Sequence, residues 1–245
     1  SRDARTKLLL PQEIPIILYT GNFTTMGEDK GIHDILRALK QLKGVLFVAV
    51  GGSKKDGERY YAEAIKLGVE AQTRFVSFVR QPILAQYQRA ADVLLMPFPD
   101  MLQYREHMSP IKMFEYMASG RPIIATDLPT IREVLNEENA ILVPPGDADA
   151  LARAVRTVLD DPASGVRLAE HAKEDVVQYS WLARAERILA SSRSWFYLPE
   201  DKEFIPKEIS QERNWNDERN RNIHPESRRN ACRCTDNCRQ QICAC

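Results

Sequence analysis

The sequence predicts an α/β fold, a parallel sheet with helices on both faces, and two observations carry that expectation. Short apolar runs alternate with amphipathic stretches of helical period from residue 14 to about residue 160. The apolar runs are also too continuous to keep one wet face, which is how strands read when both faces of a parallel sheet are covered.

Taken in order, residues 14–20 read as a buried strand. Residues 30–42 read as a helix with Ile32, Ile35, Leu36, Leu39 and Leu42 on one stripe. Residues 45–50 form a second strand, closed by Gly51 and Gly52, and residues 58–67 a helix. A strand at 75–79, a helix at 82–90 and a strand at 93–96 follow. The alternation resumes with a helix from Pro110, a strand at 122–125, a short helix near 131–135 and a strand at 140–143. From Asp147, a plausible cap, to Leu159 the spacing of Leu151, Val155 and Val158 predicts another helix, with two more up to about Ser194. Residues 1–194 are thus expected to form the domain. Residues 195–245 are expected to form a disordered tail, because residues 200–230 are dense in Glu, Arg and Asn and hold too few aliphatics to offset chain entropy.

The composition narrows the function. A chain of 245 residues suits one domain plus an appendage, or two small domains. Lys and Arg number 34 and so do Asp and Glu, so no global field favours nucleic acid or an acidic membrane surface. The apolar runs are far too short to span a bilayer and no signal peptide is visible, so a cytoplasmic location, free or peripheral at a membrane, is expected. All five cysteines, Cys232, Cys234, Cys238, Cys243 and Cys245, lie at the end of the chain. Their spacing matches no paired CxxC zinc pattern, and a metal or redox knot stands against a non-native or out-of-frame C-terminus.

The chemistry concentrates at residues 107–129. Ser109 suits an N-cap and Pro110 the first helical position. The N–H groups of Ile111 and Lys112 would then face outward at the positive end of the helix dipole, where a phosphate can sit. Lys112 adds a cation, Glu115 projects a carboxylate able to accept from ribose hydroxyls, and Ile111, Phe114 and Ala118 form a stripe expected to hold the helix to the sheet. An ordinary capped amphipathic helix fits the same residues. Loops at 21–29 and 98–108 both leave the carboxyl ends of strands, where ligands of parallel sheets bind, so Lys30 and the Ser109 helix can converge. His33 and His171 read as surface residues, Asp92 as the opening of a strand, and Asp127 as a turn residue or a group at the ligand edge. No GxGxxG and no GxxxxGK[ST] occurs, against a nicotinamide dehydrogenase or an NTPase. Asp147 and Asp149 open a helix rather than form a metal pair.

The segment 107–129, HMSPIKMFEYMASGRPIIATDLP, resembles the C-terminal, donor-binding domain of GT-B glycosyltransferases of the family 4 type, retaining enzymes that use nucleotide diphosphate sugars. Their signature is a pair of glutamates. Here Glu115 falls on the second, and His107, with seven residues between them, takes the place of the first; Glu106 is one place off register. Upstream, in IILYTGNFTTMGEDKG, Gly21 leads the loop, Lys30 falls on the lysine that neutralises the donor diphosphate, and Asn22 on a position often held by arginine. Residues 74–97 and 141–190 extend the resemblance to roughly residues 14–190.

It implies a Rossmann-like domain, one half of a GT-B fold, in a hexosyltransferase-like enzyme. Lys30 and Lys112 would hold the diphosphate beside Gly21 and Asn22. The helix start at Ser109 and Ile111 would hold the distal phosphate, Glu115 the ribose, and His107 would lie near the sugar. No metal or other cofactor is required, because preorganised donors and cations stabilise the departing diphosphate. The partners implied are a nucleotide-sugar donor, an acceptor (glycan, lipid or small molecule) and a missing N-terminal acceptor domain in cis or in trans. The last helix, which crosses to the other domain in relatives, is expected to expose an apolar face. A non-catalytic nucleotide or phosphosugar binding module and a sugar-nucleotide epimerase of the same architecture are the alternatives.

Overall fold

In the computed structural model, residues 2–25 and 27–195 are described; the tail expectations beyond Trp195, cysteines included, lie outside them. The chain opens with α1 (Arg2–Lys7), β1 (Ile16–Thr20), the hairpin β2 (Thr24–Thr25) and β3 (Glu28–Asp29), α2 (Ile32–Leu39), β4 (Leu46–Gly52) and α3 (Lys54–Leu67). Then come β5 (Thr73–Ser77), α4 (Gln81–Ala90), β6 (Val93–Met96), α5 (Leu102–Glu106), α6 (Ile111–Ser119) and β7 (Ile123–Thr126). The series closes with α7 (Pro129–Arg132), β8 (Ile141–Val143), α8 (Ala148–Asp160), α9 (Pro162–Asp175) and α10 (Trp181–Trp195).

Six strands form one parallel sheet in the order β5-β4-β1-β6-β7-β8. Counted within the sheet that is 3-2-1-4-5-6, the doubly wound Rossmann order. Side-chain alternation along each strand splits the core in two. Ile17, Tyr19, Phe47, Ala49, Val93 and Leu95 pack with α2, α3 and α8. Ile16, Leu18, Val48, Val50, Leu94 and Met96 pack with α4, α6, α7 and α9 on the other face. Both faces are covered, and the α/β expectation holds.

Capping explains where the helices begin. Asp147 accepts from the Ala150 N–H at 2.8 Å and starts α8 as expected. Ser53 accepts from the Asp56 N–H at 3.1 Å, so α3 begins four residues before residue 58, where the sequence reading started it. α2 is shorter than residues 30–42 because Gly31, at φ 90°, turns the chain before Ile32. A Cβ on Gly31 would lie 1.7 Å from the Pro97 carbonyl oxygen, so only glycine lets the start of α2 approach the end of β6.

Helix α1 was not anticipated. Its Arg5, 5% exposed, donates to the Ala90 carbonyl at 2.9 Å and to Asp92 at 2.6 Å. Asp92 also accepts from the Ile16 N–H at 2.7 Å, so the residue read as a strand opening fastens β1, β6 and α1 together. Trp181, Leu182 and Ile188 of α10 are exposed, as expected for that helix. Among the described residues no helix is long and apolar enough to cross a membrane.

Candidate functional site

β1 and β6 are neighbours in the sheet, and the strand order departs in opposite directions from them, which makes the gap beyond Thr20 and Met96 the topological switch point. Gly21, at φ 107°, turns the chain there while its N–H donates to Val50 at 2.8 Å. The β2–β3 hairpin then brings the chain back. Asp29 accepts from the Gly31 N–H at 2.6 Å and from the Tyr60 hydroxyl, and the Lys30 N–H donates to Phe23 at 3.1 Å. Lys30 is therefore fixed through its backbone, while the Asp29 carboxylate beside it is occupied by Gly31 and Tyr60. Burial lowers the pKa of its ammonium.

The opposite wall is the start of α6. Pro110, not Ser109, is the N-cap, and no side chain caps the helix. Proline stops the helix one residue short of the anticipated start because its ψ of 118° is extended. Ser109 is exposed outside the helix. The Ile111 and Lys112 N–H groups remain first-turn donors with no intrahelical partner, while Met113 already donates to Pro110 at 3.0 Å. Of the expected apolar stripe only Phe114 packs against the core, half-buried. Ile111 and Ala118 are exposed, and the buried face is Met113, Tyr116 and Met117. Tyr116 fixes that rotation, since its hydroxyl oxygen accepts from the Thr20 N–H at 2.8 Å at the end of β1.

That rotation sends Lys112 inward. Its residue is only partly buried, yet its Nζ is sealed and has no hydrogen-bond partner. This reverses the usual arrangement in which a lysine buries its stem and keeps its head in water. The Nζ lies 3.8 Å from the Tyr19 ring centroid and 4.9 Å from that of Phe98. Burial, and then the Lys30 charge, hold the Lys112 ammonium well below the usual lysine range, with only Glu115 acting the other way. Tyr19 stays protonated because burial raises its phenol, whose hydroxyl donates to the Asn22 carbonyl at 2.8 Å.

A cavity of about 630 Å3 opens between these walls. Gly21, Asn22, Lys30, His107, Ser109, Ile111 and Lys112 all line it, so residues from two distant segments do converge. Pro110 and, not singled out from the sequence, Thr25, Phe98, Gln103, Tyr104 and Met108 complete the wall. Gln103 and Tyr104 lie on α5, which the sequence reading treated as loop. None of the lining residues is a carboxylate. His107 ends α5 on an exposed rim, its Nε2 3.8 Å from Glu106. Glu115 is not part of this wall. It lies one turn further along α6, half-buried, and accepts from Gln81 and Gln88 of α4.

The remaining candidates are occupied elsewhere. Asp127 pairs with Arg132, consistent with its turn role. His33 meets Glu63, and His171 meets the Glu138 carbonyl at 3.0 Å. A second cavity, of about 530 Å3, opens at the amino ends of the strands, but Arg5 there is committed to Asp92, and Arg121 to the Arg89 carbonyl at 2.7 Å.

Chemically, the switch-point cavity offers two lysines, two first-turn N–H groups and no acid, which suits an anion carrying several charges. Comparison with known proteins gives the family. The family described as "Glycosyl transferases group 1" matches residues 14–161. The lipopolysaccharide core biosynthesis glycosyltransferase LpsE of Rhizobium meliloti is 29% identical over 71% of this chain and 48% of its own length. Glycogen synthase of Mycobacterium tuberculosis is 30% identical over 72% and 43%. Among solved structures, sucrose-phosphate synthase from Thermosynechococcus elongatus superposes with a TM-score of 0.68 at 33% identity, covering 80% of this chain and 49% of that one. Anabaena Alr3699/HepE in complex with UDP-glucose gives 0.66 at 20% identity, over 79% and 52%, a likeness of fold. The chain thus spans about half the length of these relatives. By family match, by strand order and by the cavity at the switch point, the chain belongs to the group 1 glycosyltransferases and forms a GT-B-type domain of that family.

Proposed function

We propose that this chain is the donor-binding half of a retaining glycosyltransferase that uses a nucleotide diphosphate sugar. One observation carries the reading: the buried Nζ of Lys112 has no hydrogen-bond partner, and Lys112 lines one cavity with Lys30 and the start of α6. A buried ammonium without a partner is costly, and an anionic oxygen that enters beside it compensates that cost.

In this reading Lys30 and Lys112 take the diphosphate, with the Ile111 and Lys112 N–H groups donating to the distal phosphate. Glu115 accepts from the ribose, and His107 lies towards the sugar. Charge grows on the diphosphate as the bond from the sugar C1 to its oxygen breaks. Donors fixed in advance stabilise that charge without reorganising, and no metal is needed for it. The acceptor oxygen bonds to C1 on the same face and its proton passes to a phosphate oxygen. UDP-glucose bound to the Anabaena protein of the same fold supports the donor class.

Transfer also needs the acceptor fixed in a near-attack geometry. A chain spanning half of its relatives is therefore expected to bind donor without transferring sugar, and to gain activity when an N-terminal acceptor domain is supplied in cis or in trans. An assay of product formation with and without that domain tests this. With the domain present, Glu115→Ala should remove most of the activity and His107→Ala should have a graded effect. Efficient transfer by the isolated chain would overturn the division of labour, and donor binding with no transfer under any combination would favour a binding-only module.

A further inference from the structure

Glu115 does not choose its own rotamer. Its Oε1 accepts from Gln81 Nε2 at 2.8 Å and its Oε2 from Gln88 Nε2 at 3.2 Å. The two glutamines stand seven positions apart on α4, so they share a helix face about two turns and about 10.5 Å apart. From those positions they approach one carboxylate of α6 from both sides, with one amide for each oxygen. Gln88 is 4% exposed, and a buried amide is tolerated only where its hydrogen bonds are made. Gln81 opens α4 at the surface, at the carboxyl side of β5, the same side of the sheet as the cavity.

The character of the two donors matters as much as their placement. Both are neutral, and among the described residues Glu115 makes no ion pair, so its charge is oriented without being cancelled. Each carboxylate oxygen has acceptor capacity for a second donor. A carboxylate held in this way keeps acceptor capacity on both oxygens, enough for two adjacent hydroxyls.

We propose that Gln81 and Gln88 are positioning residues that hold Glu115 for the vicinal hydroxyls of the donor ribose. The inference rests on the donor-site reading above. Neither glutamine touches the ligand through its side-chain amide; both act through Glu115.

Calorimetry tests it with whichever of UDP, GDP and ADP the chain binds, the matching 2′-deoxy nucleotide, and inorganic pyrophosphate. The unaltered chain should prefer the ribonucleotide by about tenfold or more, as expected for a hydrogen bond to a charged group. Gln88→Leu and Gln81→Ala should each shrink that preference to about two- to threefold, with pyrophosphate affinity unchanged. Gln88→Glu, which sets a like charge against Glu115, should abolish it, as should Glu115→Gln. Gln81 is exposed, so its variant reports even if the Gln88 variants fold poorly. The inference fails if the preference survives in Gln81→Ala, or if pyrophosphate and both nucleotides weaken together, which is general loosening. Pyrophosphate binding with no ribose preference in the unaltered chain would refute the clamp and leave the phosphate site standing. Failure to bind pyrophosphate or any nucleotide would refute the donor-site reading, and the clamp with it.

Discussion

Replacing Lys112 with methionine separates what its ammonium does to the fold from what it does for the ligand. Methionine keeps the length of the stem and removes the sealed, unpartnered Nζ. Leaving such a polar group unsatisfied costs about 1–3 kcal/mol, against which the attraction to the Tyr19 ring, with the Nζ at 3.8 Å, returns about 1–2 kcal/mol. The ligand-free variant should therefore be more stable by about 1 kcal/mol, a rise in thermal midpoint of about 2–4 °C for a domain of this size. Binding should move the opposite way. Losing one charge-assisted contact, about 1.5–3 kcal/mol, weakens a nucleoside diphosphate by about 10- to 150-fold.

The pH dependence follows from the same burial. Folded Lys112 sits well below the 10.5 of the unfolded chain. Between those two values the unfolded chain holds a proton that the folded one has released. Stability from this group therefore falls as pH drops from 10.5 towards the folded value, and the advantage of Lys112→Met should widen over that window. Thermal melts across pH, paired with calorimetry, measure both halves. A variant that is less stable than the parent at every pH and still binds nucleoside diphosphate as tightly would refute the reasoning.

Three further outcomes are expected from the fold. Gly31→Ala, whose Cβ would meet the Pro97 carbonyl oxygen at 1.7 Å in a left-handed backbone, should cost more than about 3 kcal/mol in urea denaturation. Arg5→Ala removes the link from α1 to the sheet and the ion pair to Asp92, which is a third exposed and keeps the Ile16 N–H, so a loss of about 1–3 kcal/mol is expected in the same assay. Tyr116→Phe strands the buried Thr20 N–H and should cost about 1–3 kcal/mol, with a weakened nucleotide affinity as α6 loses its anchor.

Periodicity made the sheet legible and left the site half written. Residues 93–96 were placed to the residue, and Asp147 was found as a cap, because both signals are local. Local signals also explain the errors. Ser109 followed by Pro110 has the chemistry of a capped helix start, but the extended ψ of Pro110 moves the start to Ile111 and the buried stripe to Met113, Tyr116 and Met117. The β2–β3 hairpin has two residues in each strand, too few for any period to show. Lys30 and Lys112 were identified by type and position, but the sealing of the Lys112 ammonium requires Tyr19 from β1 and Phe98 from beyond β6, which no single segment contains. The amides around Glu115 were invisible for the same reason, since α4 and α6 meet only in the folded chain.

In the proposed reading, the cavity between the ends of β1 and β6 binds a nucleoside diphosphate through its two lysines. Titration of the 245-residue chain with UDP, GDP and ADP in a calorimeter, repeated with Lys30→Ala and Lys112→Met, tests it most directly. One-to-one binding of at least one of the three is expected, weakened by about 10- to 150-fold in each variant. No binding of any of them, or binding that both variants retain unchanged, would contradict it.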